Sequence, residues 1–273
     1  MNQQPIGIFD SGYGGLTVLK EIKAKLPQYD YMYLGDNARS PYGNRSFETV
    51  YEYTLECVKW LFSQGCPLLV LACNTASAKA LRTIQQNDLQ KIDPSKRVLG
   101  VIRPTTEIIG PFTKTGNVGI LATSGTVISN SYPIEIQKFY PDVNVFQQAC
   151  PMWVPLVENN EYNSPGADYF IQKNIDQLLQ QSGSIDTVLL ACTHYPLLID
   201  KIKKALPVHV TVLSQGEIVA NSLILYLERH SELEEKCSKN GALSFYTTDS
   251  AEDFDNHAAI FYGKPVKSQH LSL

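Results

Sequence analysis

No stretch of the 273 residues approaches the ~18 apolar residues that a membrane-spanning helix needs. The amino terminus, MNQQPIGIFD, has neither a basic opening nor a long apolar run, so no secretory signal is expected. Basic residues are in the minority: 23 Lys and Arg against 27 Asp and Glu leave a formal charge of -4. That balance lacks the basic footprint of a nucleic-acid binder. Cysteine is sparse for the length, at positions 57, 66, 73, 150, 192 and 237, and no CxxC pair occurs. A disulfide scaffold is therefore excluded, and reduced thiols in a cytoplasmic protein are expected. Cys57, Cys66 and Cys237 read as small buried hydrophobes. What is present, 44% hydrophobic and 18% charged residues, describes an ordinary globular chain with a substantial core.

One short segment occurs twice. Residues 68–76 read LLVLACNTA and residues 187–195 read TVLLACTHY. Aligned on cysteine, Leu71-Ala72-Cys73 matches Leu190-Ala191-Cys192. An apolar run ending in a cysteine and small polar residues fits a buried parallel strand followed by a turn. Further landmarks repeat with it. IGIF at 6–9 runs into the glycine turn Asp10-Ser11-Gly12-Tyr13-Gly14-Gly15, and VGIL at 118–121 runs into Thr123-Ser124-Gly125-Thr126. Cys73 lies 62 positions after Ser11 (73 − 11), and Cys192 lies 68 after Ser124 (192 − 124). A domain-sized internal duplication follows.

Between these landmarks, strands near 29–34, 97–102, 143–147 and 208–213 alternate with helices. The helices fall at 16–26, 47–64, from Thr75, 127–139, 166–182, after Pro196 and at 215–230. Residues 242–262 offer a further strand and helix to the first unit. This alternation predicts an α/β protein of two pseudo-symmetric doubly wound units with the site in the cleft between them. The expected division is 1–100 plus 210–273 for the unit with Cys73, and 101–209 for the unit with Cys192.

In such folds the carboxyl ends of the strands gather around a crevice. Asp10, Cys73, Cys192 and His194 all fall at predicted strand ends. Both cysteines directly precede predicted helices, whose dipoles favour thiolate. One activated cysteine suggests nucleophilic transfer. Two related by pseudo-symmetry suggest that one thiol removes a proton from one face of a carbon while the other delivers one to the opposite face. Metal binding fits less well, because only Cys192 and His194 are close in sequence. A redox relay lacks its CxxC. The glycine turn lacks G-x-G-x-x-G spacing, so a nucleotide is not expected.

Four stretches, IGIFDSGYGG (6–15), GDNARSPYG (35–43), LACNTA (71–76) and LACTHYPL (190–197), together resemble the glutamate racemases of the aspartate/glutamate racemase family. The resemblance implies cofactor-independent, metal-free interconversion of L- and D-glutamate in the cytoplasm, supplying D-glutamate for peptidoglycan. Cys73 is implied to act on the D enantiomer and Cys192 on the L enantiomer, with Asp10, Glu158 and His194 as acid–base helpers. Substrate contacts are implied at Asp10, Ser11, Pro41, Tyr42, Gly43, Asn74, Thr75, Thr126, Thr193 and His194. The implied partner is the small substrate alone, with no nucleic acid and no membrane, and the expected assembly is a homodimer. Aspartate racemases share the paired-cysteine scheme, but their motifs are less like these.

Overall fold

The computed structural model describes residues 4–273. Apolar runs become strands: β1 (Ile6–Asp10), β2 (Tyr31–Gly35), β3 (Leu68–Leu71), β4 (Arg97–Gly100), β5 (Asn117–Ala122), β6 (Asn144–Ala149), β7 (Thr187–Ala191), β8 (Thr211–Leu213), β9 (Leu243–Thr247) and β10 (Ser268–His270). They form two sheets, ordered β10-β9-β2-β1-β3-β4 and β6-β5-β7-β8, and every pairing is parallel. β1, β2, β3 and β7 are buried along their whole length. Helices cover both faces of such a sheet, so these strands carry uninterrupted apolar runs.

The order β2-β1-β3-β4 in the first sheet is repeated as β6-β5-β7-β8 in the second. The duplication read from sequence landmarks is thus a duplication of topology. Both cysteines follow the equivalent strand, β3 or β7, beside the point where strand order reverses. Ligands of open α/β sheets bind at that switch point. β9 and its following helix Ala251–Tyr262 return to the first sheet as expected, and β10 adds an edge strand with no apolar run to announce it. The second sheet extends through Leu213, beyond the crossing expected near 210.

The units meet through a shared core layer. Helix Leu16–Lys25 buries Leu16, Val18, Leu19 and Ile22, while helix Gln215–Arg229 buries Val219, Ala220, Leu223 and Leu227. Both sets recur at three- or four-residue spacing, so each helix presents one apolar stripe. They belong to one hydrophobic cluster that also holds Tyr33 of the first sheet and Leu190 of the second. Each such fully buried aliphatic side chain contributes about 1.5–3 kcal/mol.

Two expected helices are divided. The segment at 127–139 is interrupted at Asn130, whose φ of 54° is left-handed, between helices Ser124–Ser129 and Ser131–Phe139. Asparagine tolerates that conformation better than most residues. The helix after Cys73 runs from Asn74 to Lys79, loosens at Ala80 and continues as helix Leu81–Thr83, a π segment at Ile84–Asp88 and helix Leu89–Ile92.

Candidate active site

The first unit contributes two strand ends. Asp10 closes β1 and is fully buried, and its Oδ2 accepts a hydrogen bond from Gly12 N at 3.0 Å. Burial raises its pKa, against the opposing influence of His194 and the backbone N–H groups of Gly15 and Gly12. Cys73 follows β3 and caps helix Asn74–Lys79, its Sγ accepting from Ala76 N at 3.4 Å. Its thiol donates to Ser11 Oγ at 3.5 Å. Burial, then the Asp10 carboxylate, push the Cys73 thiol up to about 12, although the Ala76 N–H and Ser11 pull the other way. The helix dipole therefore does not make Cys73 a thiolate at neutral pH. Desolvation of a sulfur anion outweighs one N–H at 3.4 Å.

The second unit contributes a different arrangement. Cys192 follows β7, and its Sγ lies 4.0 Å from His194 Nδ1. His194 Nε2 meets Glu158 Oε1 at 2.9 Å. Burial lowers the imidazole pKa, but contacts with Cys192 and Glu158 outweigh it and lift the group to about 10. His194 is thus an imidazolium at neutral pH. Behind Cys192 a tight four-residue turn, Tyr195–Leu198, runs on into helix Ile199–Ala205. A cation faces the sulfur of Cys192, and a carboxylate lies near that of Cys73.

The glycine turn exists for the approach of the two units. A Cβ on Gly14 would lie 2.2 Å from Thr193 Oγ1 and 2.5 Å from His194 Nδ1, and one on Gly15 would lie 2.5 Å from Asp10 Cβ. Thr17 Oγ1 then donates to Thr193 O at 3.0 Å, and Thr193 Oγ1 to Asp10 Oδ1 at 3.5 Å.

Cys73 and Cys192 line one cavity, which with its mouth holds about 560 Å³ of space unoccupied by atoms. Ser11, Pro41, Tyr42, Gly43, Asn74, Thr75, Thr193 and His194 line it with them. The remaining expected residues stand behind that lining: Asp10 beneath the turn, Glu158 behind His194, and Thr126 behind Thr75 and Thr123. Tyr42 lines the cavity with its ring packed near Phe9 and Tyr53, and its hydroxyl donates to buried Asp36. Asp36 also holds Arg39 at 2.7 Å and Thr248 at 2.8 Å.

Ser40, Asn44, Thr123, Cys150, Pro151, Val154 and Pro155 also line the cavity, although the sequence assigns none of them to the site. Ser40 and Asn44 flank Pro41-Tyr42-Gly43, and Thr123 opens the second turn, so their positions carried a signal. Cys150 and Pro151 follow the end of β6, where the strand-end rule also points. Val154 and Pro155, which sit in the short helix Trp153–Glu158, gave none, because apolar residues there look like ordinary packing. Phe261 was also missed. Its ring meets the His194 imidazole edge-on at 5.2 Å, so the carboxyl-terminal helix closes the back of the site. Among the described residues no group of three metal-ligating side chains gathers, and no helix is long and apolar enough to cross a membrane.

Two parallel α/β sheets of matching topology, each bringing a cysteine to a common buried cavity, define an α/β protein with its site between two related sheets. The sequence profile of the Asp/Glu/hydantoin racemases matches residues 14–223, and the chain belongs to that family. It is 38% identical over 269 residues to the glutamate racemase of Persephonella marina, covering 98% of this chain and 97% of that one. Identity to the Enterococcus faecalis glutamate racemase is also 38%, over 273 residues, covering 100% and 97%. A glutamate racemase isoform from Bacillus anthracis superposes with a TM-score of 0.90 at 34% identity, covering 100% and 99%. The Francisella tularensis glutamate racemase, solved with D-glutamate, superposes with a TM-score of 0.87 at 28% identity, covering 100% and 98%.

Proposed function

We propose that this protein interconverts L- and D-glutamate by a two-base mechanism in which Cys73 and Cys192 act on opposite faces of the α-carbon. The observation that carries it is the placement of both sulfurs, at the ends of equivalent strands, in one cavity. Starting from the L enantiomer, the Cys192 thiolate removes the α-proton. The Cys73 thiol, held protonated by its burial, delivers a proton to the other face. Starting from the D enantiomer, the same steps run in reverse. The His194 imidazolium, oriented by Glu158, sets a positive charge 4.0 Å from Cys192 Sγ, the atom that gives and takes the proton. Asp10 sets a negative charge near Cys73 instead, which disfavours its thiolate. Its carboxylate receives the thiol proton when Cys73 must become the base.

The wall polar groups suit a zwitterionic acid: Ser11, Asn74, Thr75 and Thr193 offer hydroxyl, amide and backbone donors to its carboxylates. The full-length likeness to glutamate racemases supports glutamate over aspartate. The same reading places the protein in the cytoplasm as a homodimer supplying D-glutamate for peptidoglycan. Circular dichroism of L-glutamate incubated with pure protein tests it. The signal should decay to zero without added pyridoxal phosphate, and a constant signal across pH 6–9 overturns the proposal. Faster turnover of aspartate than of glutamate overturns the substrate assignment alone.

A further inference from the structure

Behind Asn74 lies a closed ring of hydrogen bonds that the reaction itself does not use. Asn74 Nδ2 donates to Gln215 Oε1 at 2.6 Å, Gln215 Nε2 donates to the Tyr132 hydroxyl at 2.7 Å, and that hydroxyl donates to Asn74 Oδ1 at 2.6 Å. All three residues are buried, with exposures of 3%, 4% and 0% in the order Asn74, Gln215, Tyr132. Each donor points to an acceptor around the ring in one direction. Rotating either amide by half a turn would set donor against donor or oxygen against oxygen. The second Nε2 hydrogen of Gln215 points between Val101 O and Thr105 Oγ1, both at 3.1 Å, and anchors the amide further.

The ring's members come from separate parts of the chain. Asn74 directly follows Cys73 and opens its helix, Tyr132 belongs to helix Ser131–Phe139 beside the second sheet, and Gln215 begins helix Gln215–Arg229. Val101 and Thr105 lie just after β4, where the chain leaves the first sheet. Asn74 alone of the three ring residues lines the cavity. Its two ring bonds leave one amide N–H and one oxygen lone pair free.

We propose that Tyr132 and Gln215 are positioning residues for substrate binding. The ring locks the Asn74 amide in a single orientation, so that its free N–H meets a carboxylate of the amino-acid substrate. This role rests on the proposed racemase activity. A side chain locked in advance gives up less entropy on binding, and a flipped amide would offer an oxygen to an anion. The ring also ties that orientation to the junction of the two units, since no single unit supplies all its members.

Tyr132→Phe removes one hydroxyl and little volume, and Gln215→Met provides a second break at similar length. The measurement is steady-state racemisation of L-glutamate by the wild type, both variants, Asn74→Ala and the double variant Tyr132→Phe/Asn74→Ala. In the wild-type background, Tyr132→Phe and Gln215→Met are expected to raise KM about two- to tenfold, the worth of one neutral hydrogen bond, with kcat changed less than KM. In the Asn74→Ala background, Tyr132→Phe is expected to change KM no further, because the group it orients is gone. Independent, multiplying effects in the double variant assign Tyr132 a general structural role and overturn the proposal. So does an unchanged KM in Tyr132→Phe beside an active wild type. An inactive wild type overturns the racemase reading, and the ring's role falls with it.

Discussion

Glu158 Oε1 sits 2.9 Å from His194 Nε2, on the side of the imidazole away from Cys192, whose sulfur lies 4.0 Å from Nδ1. The carboxylate, ring and sulfur form one line of charge, and the imidazolium at its centre is kept protonated to about 10. Glu158 does not reach the cavity. Its influence passes through the ring.

That relationship predicts a pH-dependent stability difference. His194 titrates near 10 in the folded chain and near 6.5 when unfolded. A group raised on folding contributes stability that is fully present below the unfolded value and is lost as pH rises through the folded one. Glu158→Gln removes the anionic partner. Wild type should exceed this variant in Tm by the largest margin below about pH 6.5, and the margin should shrink towards pH 10. Thermal melts followed by circular dichroism across that range check it, and a margin that grows with pH contradicts the assignment. Turnover in the variant should fall roughly tenfold.

Cys73→Ala and Cys192→Ala should each reduce racemisation by at least about a thousandfold, since each removes one of two obligatory proton carriers. Polarimetry with either enantiomer measures this. Full turnover in either single variant eliminates the two-base scheme.

Asp10→Asn should trade activity for stability. The buried carboxyl has its pKa raised, so its ionised form costs stability once pH exceeds the unfolded carboxylate range near 4. At pH 7 the neutral amide should raise Tm by roughly a few degrees. Turnover should drop by about ten- to a hundredfold, because Cys73 loses its proton acceptor. A variant that melts lower and keeps full turnover would assign Asp10 a structural role.

Gly14→Ala should be costly in both respects. Its Cβ would stand 2.2 Å from Thr193 Oγ1, so the turn and the second unit must separate. A loss of about 1–3 kcal/mol in urea denaturation is expected from the overpacking. A fall in kcat/KM of about a hundredfold should accompany it, as the helpers around both thiols shift relative to one another. Unaltered kinetics would show that the contact between Gly14 and His194 does not hold the site in register.

Much of this protein was legible in its sequence because buried parallel strands and amphipathic helices have local signatures. The runs ending at Asp10, Cys73, Ala122 and Cys192 read as strands on their own, and their repetition announced two related units. The strand-end rule gathers Asp10, Cys73, Cys192 and His194 from the sequence alone. Three further matters depended on which surfaces meet across the junction of the units, and local pattern carries no record of that. Burial beside Asp10 decides that Cys73 rests as a thiol, where a helix start alone suggested a thiolate. The distance from Gly14 to Thr193 decides why the turn must be glycine, since the reason lies in a residue on the other unit. Folding also closes the ring of Asn74, Tyr132 and Gln215, three polar side chains that along the chain read as unremarkable. Local periodicity specifies elements and their ends, while desolvation, charge and hydrogen-bond partners exist only once distant segments share a buried volume.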